Sequence, residues 1–337
     1  MSHTIKLGRA AYYNLFVDTY EAAGAPVERW MEASGLPLSM RDDPDCYIAS
    51  LPFLNFVLMA ETKIGLPDIS GDAMRALRLE TFSQSTQRAV TAAPTLHDAL
   101  RAFIKRSRYE NNEQNYWMDL AQSGVARVCS DASLAKNAYH PNFLQNWGIL
   151  EVVRSFVGRH WTPSLQAFQS DLPPGENFFD ELGNTNFLAG QPISFIEIPK
   201  NLLLTPNPMK RVTMDIQADG SLPEAPEALP QALRAFLKPI LLDGHMTKLR
   251  DAADALAMST RSLQRALTEN GTSFRTLLNA ARADVARDLL SDNEIRITDV
   301  AMSLGFSDSA HFSRAFRATT GLSPSEFRLA CREMPAQ

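Results

Sequence analysis

The stretch ITDVAMSLGFSDSAHFSRAFRATTGLSPSEFR, residues 297–328, decides the fold of the C-terminal part of this chain. It opens with four apolar residues that recur at helical spacing and form one stripe: Ile297, Val300, Ala301 and Leu304. Gly305 follows the stripe, where the end of a helix accepts a positive φ, and Ser307 is a candidate N-cap for the helix after it. The pattern therefore predicts two short helices on either side of a tight turn.

The second predicted helix has an apolar side and a polar, basic side. Two phenylalanines would be buried and three polar residues would face outward: Phe312 and Phe316 inside, and His311, Arg314 and Arg317 outside. Gly321 ends this helix, and the run Ser323-Pro324-Ser325-Glu326 starts another with a capping box. Two crossed helices with a basic second helix form the helix-turn-helix geometry that enters the major groove of DNA.

The same frame occurs earlier in the chain. A second apolar stripe with the same spacing lies earlier in the chain than the stripe that begins at Ile297. It consists of Leu249, Ala252, Ala253 and Leu256. Further pairs follow in the same order and at nearly the same separation: Ser259 with Ser307, Leu263 with Phe312, Leu267 with Phe316, Arg265 with Arg314 and Gly271 with Gly321. An internal duplication explains this pattern. We therefore expect helix-turn-helix units at about 248–270 and 297–320, joined by one long helix.

Length, composition and charge limit the classes of protein to which this chain can belong. A chain of 337 residues with 45% hydrophobic and 21% charged residues can hold two domains with buried cores. The net charge of −5 argues at first against nucleic acid. Residues 231–337, however, carry 14 Lys and Arg against 12 Asp and Glu, so the acidic excess lies in the front part of the chain.

Signatures of targeting and catalysis are missing from the sequence. The N-terminus lacks the apolar run of a signal peptide, and no apolar stretch is long enough to span a bilayer, so no membrane partner is expected. Cys46, Cys129 and Cys331 lie far apart and form no CxxC pair, which fits a cytoplasmic protein. Without paired histidines, nucleotide-binding glycine motifs or a nucleophile elbow, we expect no metal, no other cofactor and no enzyme activity.

The front part of the chain mixes helical and strand patterns. Helices are predicted over residues 8–36, 51–65, 94–108 and 143–160, and strands over residues 114–120, 125–131, 164–169 and 193–198. This order predicts an α+β domain over residues 8–205, with a mixed or antiparallel sheet. Five prolines mark residues 206–231 as a linker, and an all-α domain is expected over residues 232–332.

Residues 247–332 resemble the DNA-binding domain of the AraC/XylS family of bacterial transcription regulators, most closely over GFSDSAHFSRAFRATTGLSPSEFR. The resemblance implies two recognition helices in successive turns of the major groove. It also implies which residues face bases or phosphates: Arg261, Gln264 and Arg265 in the first unit, and Ser309, His311, Arg314 and Arg317 in the second. Ala257 departs from the pattern, since the second unit has Gly305 there; we expect Ala257 in a turn compatible with the right-handed helical region.

Side-chain chemistry supports part of this assignment independently. Arg can bind guanine O6 and N7 together, and Gln can bind adenine N6 and N7 in the same way. Because the frame is repeated, we favour base contacts for Arg265 and Arg314, and a phosphate contact for Arg317 one turn further on. For the other four residues, a DNA contact and an ordinary surface role remain equal alternatives: Arg261, Gln264, Ser309 and His311.

Residues 8–205 resemble, more loosely, the arabinose-binding-like N-terminal domain of a branch related to the ornithine-utilisation regulators. The segment that carries this is PSLQAFQSDLPPGENFFDELGNTNFLAGQPISFIEIPKNLLLTPNP, residues 163–208. The resemblance implies a domain that binds a small-molecule effector of unknown identity and that forms a homodimer. Six aromatic residues are candidates either for an apolar pocket or for ordinary core: Tyr109, Tyr116, Trp117, Tyr139, Trp147 and Trp161.

The resulting hypothesis is a cytoplasmic bacterial transcription regulator, an activator controlled by a small-molecule effector. Its partners would be double-stranded promoter DNA and RNA polymerase. One alternative is an enzyme or DNA-repair methyl acceptor that uses the same DNA module, although an acceptor would need clustered cysteines in the front half. Another alternative is a regulator that is controlled by protein contacts without any ligand.

Overall fold

The computed structural model describes residues 6–65, 69–112, 114–132, 139–171, 182–208, 228–245, 247–292 and 294–333. The chain divides into two compact units. We call residues 8–30 and 55–225 the α+β unit, and residues 1–7, 31–54 and 226–337 the helical unit. The predicted linker, 206–231, falls largely on residues 209–227, which lie outside the described residues.

The α+β unit is built from helices and a sheet. Its described helices are α1 (Ala10–Ala22), α2 (Val27–Ser34), α3 (Ser50–Ile64), α4 (Ile69–Arg75), α5 (Gln84–Thr91), α6 (Leu96–Glu110) and α7 (Tyr139–Val157), of which α2 and α3 continue into the helical unit. Its strands are β3 (Gln114–Asp119), β4 (Val125–Ala132), β5 (Leu165–Ala167), β6 (Asn186–Leu188) and β7 (Ser194–Pro199). Short 3-10 helices occur at Leu79–Thr81 and Lys200–Leu204.

The five strands form one mixed sheet in the order β3-β4-β7-β5-β6. Neighbours pair antiparallel except β5 and β6, which run parallel. The hairpin predicted between β3 and β4 is confirmed, with Gln114 opposite Ala132 and with Gly124 of the turn at a φ of 78°. The α+β class and the mixed sheet are therefore as the sequence predicts.

Helix α7 covers the sheet and supplies much of the core. It buries Trp147, Leu150 and Val153, and it packs against β4 and β7. Those two strands bury Val128 and Ile196 in turn. Helix α6 packs beside α7, and it buries Leu96, Leu100 and Phe103.

The helical unit contains the C-terminal helices. They are α8 (Leu229–Leu242), α9 (Leu249–Ala255), α10 (Thr260–Glu269), α11 (Phe274–Ser291), α12 (Ile297–Ser303), α13 (Ser309–Thr320) and α14 (Pro324–Glu333). Helix α11 is the predicted long connection between the two helix-turn-helix units. Arg234 of α8 and Asp284 of α11 form two hydrogen bonds of 2.5 Å, which join these helices at the surface.

Residues 31–54 also pack into the helical unit. This segment contains a 3-10 helix, Leu38–Arg41, and the strand β2 (Tyr47–Ala49), which forms a two-stranded sheet with β1 (Leu7–Arg9). The Asp243 carboxylate, just after α8, accepts hydrogen bonds from the backbone N–H groups of Leu38 (2.5 Å) and Ser39 (2.9 Å). The Ser39 hydroxyl donates to the carbonyl of Pro239 at 2.9 Å. The sequence expectation kept this segment with residues 8–205; that division, like the predicted linker, stays a prediction.

Candidate nucleic-acid interface

Two helix pairs, α9–α10 and α12–α13, repeat one turn geometry. Each turn closes with two backbone hydrogen bonds between equivalent positions: Ala257 to Asp254 (3.1 Å) and Met258 to Ala253 (2.9 Å), then Gly305 to Met302 (2.9 Å) and Phe306 to Ala301 (3.0 Å). These bonds satisfy carbonyl groups that the end of a helix leaves without partners. The duplication inferred from sequence is thus also a duplication of backbone geometry.

The expectation for Ala257 is wrong. Its φ is 53°, in the left-handed region, and the matching Gly305 has a φ of 73°. The shared hydrogen-bond pattern requires a left-handed residue at this position, whatever side chain the sequence supplies. Among the described residues, Ala257 is the one non-glycine residue with a positive φ.

The N-caps of the two recognition helices differ from the sequence-based pairing. The Ser259 hydroxyl accepts the N–H of Ser262 at 3.1 Å and caps α10 as predicted. In the second unit the cap is Asp308, not Ser307, since the Asp308 carboxylate accepts the N–H of His311 at 2.7 Å. The turn after Gly305 is therefore longer than the turn after Ala257, and the two helices align with Ser259 opposite Asp308.

The Asp308 carboxyl is part of a small hydrogen-bonded group. Its pKa lies below the ordinary value, chiefly because the carboxylate accepts the His311 backbone N–H and also the Ser307 hydroxyl. Ser307 is thus a support for the cap rather than the cap itself, with its hydroxyl 3.1 Å from Asp308 Oδ2. An ionised carboxylate at this position also complements the positive end of the α13 dipole.

The inner faces of both recognition helices are buried as predicted. Leu263 and Leu267 of α10 and Phe312 and Phe316 of α13 are each no more than 2% exposed. The Phe312 and Phe316 rings lie 5.7 Å apart and belong to the core of the helical unit. These phenylalanines are consequently unable to stack on nucleic-acid bases.

The outer faces carry the residues predicted to contact DNA. All seven are exposed: Arg261, Gln264 and Arg265 on α10, and Ser309, His311, Arg314 and Arg317 on α13. Arg265 lies 3.7 Å from Glu269 on the same helix, in an exposed pair that solvent screens. The side chains are accessible to a duplex, and their contacts with bases or phosphates stay a prediction.

The alignment of Ser259 with Asp308 shows that the two recognition helices present different side chains. Only one pair of equivalent positions carries the same predicted contact residue, Arg265 and Arg314. Arg261 is matched by Ala310, and Arg317 is matched by Thr268, which is also exposed. Thr268 and Ala310 are thus also exposed on the two outer faces, and the sequence-based prediction of contact residues named neither of them.

A few contacts fix the second helix-turn-helix on α11. The Arg282 guanidinium lies 4.9 Å from the centre of the Phe306 ring, next to the second turn. Arg328 of α14 donates to the carbonyls of Leu290 (3.4 Å) and Ile295 (2.6 Å), which lie at and beyond the end of α11. The predicted capping box of α14 is present as well, because Ser323 and Glu326 exchange hydrogen bonds.

No group of three or more His, Cys, Asp and Glu residues in the described ranges is placed to hold a metal ion. Within the same ranges, no helix is long and apolar enough to cross a membrane. Of the aromatic candidates in the α+β unit, Trp147 is core and 1% exposed, Trp117 is 38% exposed, and Tyr116 lines a cavity. The side chain of Tyr139 lies outside the described residues.

Family comparisons agree with this geometry. Residues 252–330 match a helix-turn-helix domain, and residues 24–207 match the arabinose-binding domain of AraC transcription regulators, N-terminal part. The second match covers more than half of the chain. This chain belongs to the AraC family of transcription regulators.

Individual relatives of this AraC-family chain cover smaller parts of it. The ornithine utilization regulator of Pseudomonas aeruginosa is 32% identical over 146 residues, which are 42% of each chain. The transcriptional activator NphR of a Rhodococcus species is 40% identical over 80 residues, 24% of each chain. The activator RhaS of Escherichia fergusonii is 43% identical over 77 residues, 23% of this chain and 28% of that protein. The chain thus spans less than half of the length of each of these relatives.

Among solved structures, the transcriptional regulator CdpR from Pseudomonas aeruginosa aligns with 77% of this chain and 86% of its own. The sequence identity is 19% and the TM-score is 0.32, so family membership rests on the sequence matches instead.

Proposed function

We propose that this AraC-family chain regulates transcription by binding double-stranded promoter DNA through both helix-turn-helix units. The observation that carries the proposal is the repeated turn: two helix pairs share one hydrogen-bond pattern, and each second helix exposes a polar, basic face. Helix α11, with 18 residues, is about 27 Å long at 1.5 Å per residue. Successive major-groove turns lie roughly 34–36 Å apart, and α10 and α13 would each occupy one of two such turns.

We further propose that a small-molecule effector controls this binding and that the chain acts as an activator. The match to an arabinose-binding domain supports the first part, and the relatives described as activators support the second. An effector acts by favouring the DNA-competent arrangement of a pre-existing equilibrium. A homodimer, a contact with RNA polymerase and a cytoplasmic location belong to the same proposal.

A two-step experiment tests DNA binding. Genome-wide mapping with the tagged full-length chain identifies bound promoters, and fluorescence anisotropy then measures the affinity of the purified chain for a recovered fragment. We expect the recovered sites to share one long, asymmetric element and to bind more tightly than random duplex of equal length. Equal affinity for the recovered fragment and for random DNA would refute sequence-specific regulation.

One alternative function is that of a DNA-repair methyl acceptor, which would need a reactive cysteine. Burial raises the pKa of the Cys46 thiol to about 12 and that of Cys129 to about 11, so both thiols stay protonated and are poor nucleophiles. This argues against a methyl acceptor that uses either cysteine.

Native mass spectrometry of the purified chain distinguishes control by a ligand from control by protein contacts, since a retained small molecule adds a defined mass.

A further inference from the structure

Ala310 is an exposed apolar residue in the first turn of recognition helix α13. It is the second residue after the Asp308 cap, as Arg261 is the second residue after the Ser259 cap of α10. The position that holds a long, charged side chain in the first helix-turn-helix unit therefore holds a single methyl group in the second unit.

Helix geometry places Ala310 on the same side of α13 as the two arginines that are predicted to contact DNA. At 3.6 residues per turn, Arg314 lies about 40° and Arg317 about 20° around the helix axis from Ala310, one on either side. The buried Phe312 and Phe316 point to the opposite side of the helix. Because the N-terminal residues of a recognition helix contact base edges, the Ala310 methyl group would face the bases of the groove that α13 enters.

The residue one turn after Ala310 also has a short side chain. Counted from the caps, Ser313 of α13 corresponds to Gln264 of α10. The Ser313 hydroxyl donates to the carbonyl of Ser309 at 2.8 Å, so its hydrogen is already engaged within the helix. The first turns of α13 therefore extend less far toward the bases than those of α10, and α13 can approach the base edges more closely.

The chemistry of the base edges determines what a methyl group can recognise. In the major groove, thymine presents a C5-methyl group, and an alanine side chain can make an apolar contact with it. The donors and acceptors of the other bases would lose hydrogen bonds to water against a methyl group and gain none in return. Thymine is therefore the base that suits Ala310.

We propose that Ala310 is a specificity-determining residue that recognises the C5-methyl group of one thymine in the promoter segment bound by α13. The inference rests on the proposed binding of promoter DNA. Ala310 and Arg314 are four residues apart, which is about 6 Å along the helix, and base pairs are stacked about 3.4 Å apart. This thymine should therefore lie within about two base pairs of the guanine bound by Arg314.

Replacement of thymine by deoxyuridine removes the C5-methyl group and keeps the base pairing. Each thymine of the mapped promoter fragment is replaced in turn, and fluorescence anisotropy measures the affinity of the full-length chain. We expect one thymine near the Arg314 guanine at which the replacement weakens binding about fourfold, the equivalent of one buried methyl group. That guanine is the position at which Arg314→Ala no longer distinguishes guanine from adenine. Equal affinity for all the deoxyuridine fragments overturns the proposal.

A pair of glycine variants assigns the methyl effect to Ala310. In Ala310→Gly, the ratio of the affinities for the thymine and deoxyuridine fragments should fall from about four to about one, because the protein methyl group is gone. Ala318→Gly removes the same group from an exposed position near the end of α13, so this matched control should keep the wild-type ratio. An unchanged ratio in Ala310→Gly overturns the assignment.

A second variant guards against loss of helix structure, since glycine lowers helix stability. Ala310→Arg installs a good helix former and reproduces the residue at the equivalent position of α10. Its long side chain separates the helix from the thymine, so the affinity ratio should again fall to about one. A ratio that stays at about four in this variant also overturns the assignment.

The same measurements distinguish failure of this inference from failure of the proposed function. A chain that prefers the mapped promoter to random DNA but shows no deoxyuridine effect refutes only the contact made by Ala310. Equal affinity for the promoter and for random DNA refutes sequence-specific binding, and the inference fails with it.

Discussion

Ala257 holds a backbone conformation that glycine adopts at lower cost. A left-handed φ costs an L-residue roughly 1–2 kcal/mol, and the exposed Ala257 side chain gains little packing in return. We expect Ala257→Gly to stabilise the helical unit by about 1 kcal/mol in urea unfolding of the full-length chain. The matched control Gly305→Ala, in the equivalent turn, should destabilise it by a similar amount. An unchanged midpoint in Ala257→Gly would contradict the turn geometry.

Arg265 and Arg314 occupy equivalent positions on the two recognition helices. If each binds a guanine edge, replacement by Ala should weaken binding to the mapped promoter by about 1–3 kcal/mol, with a smaller effect on random DNA. Arg101→Ala, an exposed arginine in the α+β unit, serves as the control for loss of one positive charge. Wild-type affinity of both Arg265→Ala and Arg314→Ala for the promoter would refute the base-contact assignment.

Arg317 lies one helical turn beyond Arg314 and differs from it in what it is expected to bind. A phosphate contact carries no sequence information, so Arg317→Ala should weaken binding to promoter and random DNA alike. It should also reduce the slope of log affinity against log salt by about one unit. Anisotropy titrations at several salt concentrations measure both effects. Loss of affinity for the promoter alone would show that Arg317 reads a base instead.

For individual residues, the sequence pattern predicted the buried side chains correctly, whereas the predictions for the N-cap of α13 and for the φ of Ala257 are wrong. Spacing alone placed Leu263, Leu267, Phe312 and Phe316 inside, because a helix face follows from periodicity. Ser307 and Asp308 are adjacent and both suit an N-cap, so composition does not choose between them. The φ of Ala257 is set by the hydrogen bonds of the turn, and alanine itself gives no signal for a left-handed residue.

At the scale of elements, Asp243 links α8 to residues 31–54. Its carboxylate holds the N–H groups of Leu38 and Ser39, and hydrogen bonds to a charged group contribute about 1.5–3 kcal/mol. We expect Asp243→Ala to speed hydrogen exchange at residues 38–39 and to lower the stability of the helical unit. Asp288→Ala removes the exposed partner of Lys238 on the neighbouring helix and should have little effect. Equal exchange in the two variants would show that Asp243 does not anchor the segment.

The elements themselves differ in how far the sequence determines them. The two helix-turn-helix units could be found because two copies of one pattern confirm each other, and the β3–β4 hairpin because its turn contains Gly124 between alternating residues. The attachment of residues 31–54 to α8 was not predictable, since it joins positions that are far apart in the sequence. A segment's pattern shows that it has a buried side, but it does not show which helix covers that side.

At the scale of the whole molecule, the charge distribution fits a DNA-binding chain despite the net charge of −5. The arginines predicted to contact DNA are exposed on the outer faces of α10 and α13, whereas several arginines elsewhere are paired with carboxylates, among them Arg9, Arg127 and Arg234. Net charge therefore carries little information here, because local placement decides which charges a duplex can reach. For the same reason, the net charge of the whole sequence does not indicate whether the chain binds DNA.

Because the two helix-turn-helix units share one hydrophobic core, we predict a fixed spacing between the two DNA segments that they contact. Leu267, Ala281 and Phe316 belong to one hydrophobic cluster, so α10 and α13 should act as parts of a single body and not as independent readers. A long half-site read by one chain then has fixed internal spacing. Inserting five base pairs between the segments contacted by Arg265 and Arg314 turns one segment to the opposite face of the duplex. Inserting ten keeps the face but moves the segment about 34 Å further away.

We expect both insertions to reduce promoter affinity to that of the chain with Arg314→Ala and Arg317→Ala combined, because either insertion removes the contacts of α13. Anisotropy with the two altered fragments measures this, and a fragment with an equal insertion outside the contacted region is the control. A flexible pair of readers, or one helix from each of two chains, would instead recover affinity with the ten-base-pair insertion. Recovery would therefore show that the half-site is read by two bodies, and the duplication in sequence would have to serve a different arrangement on DNA.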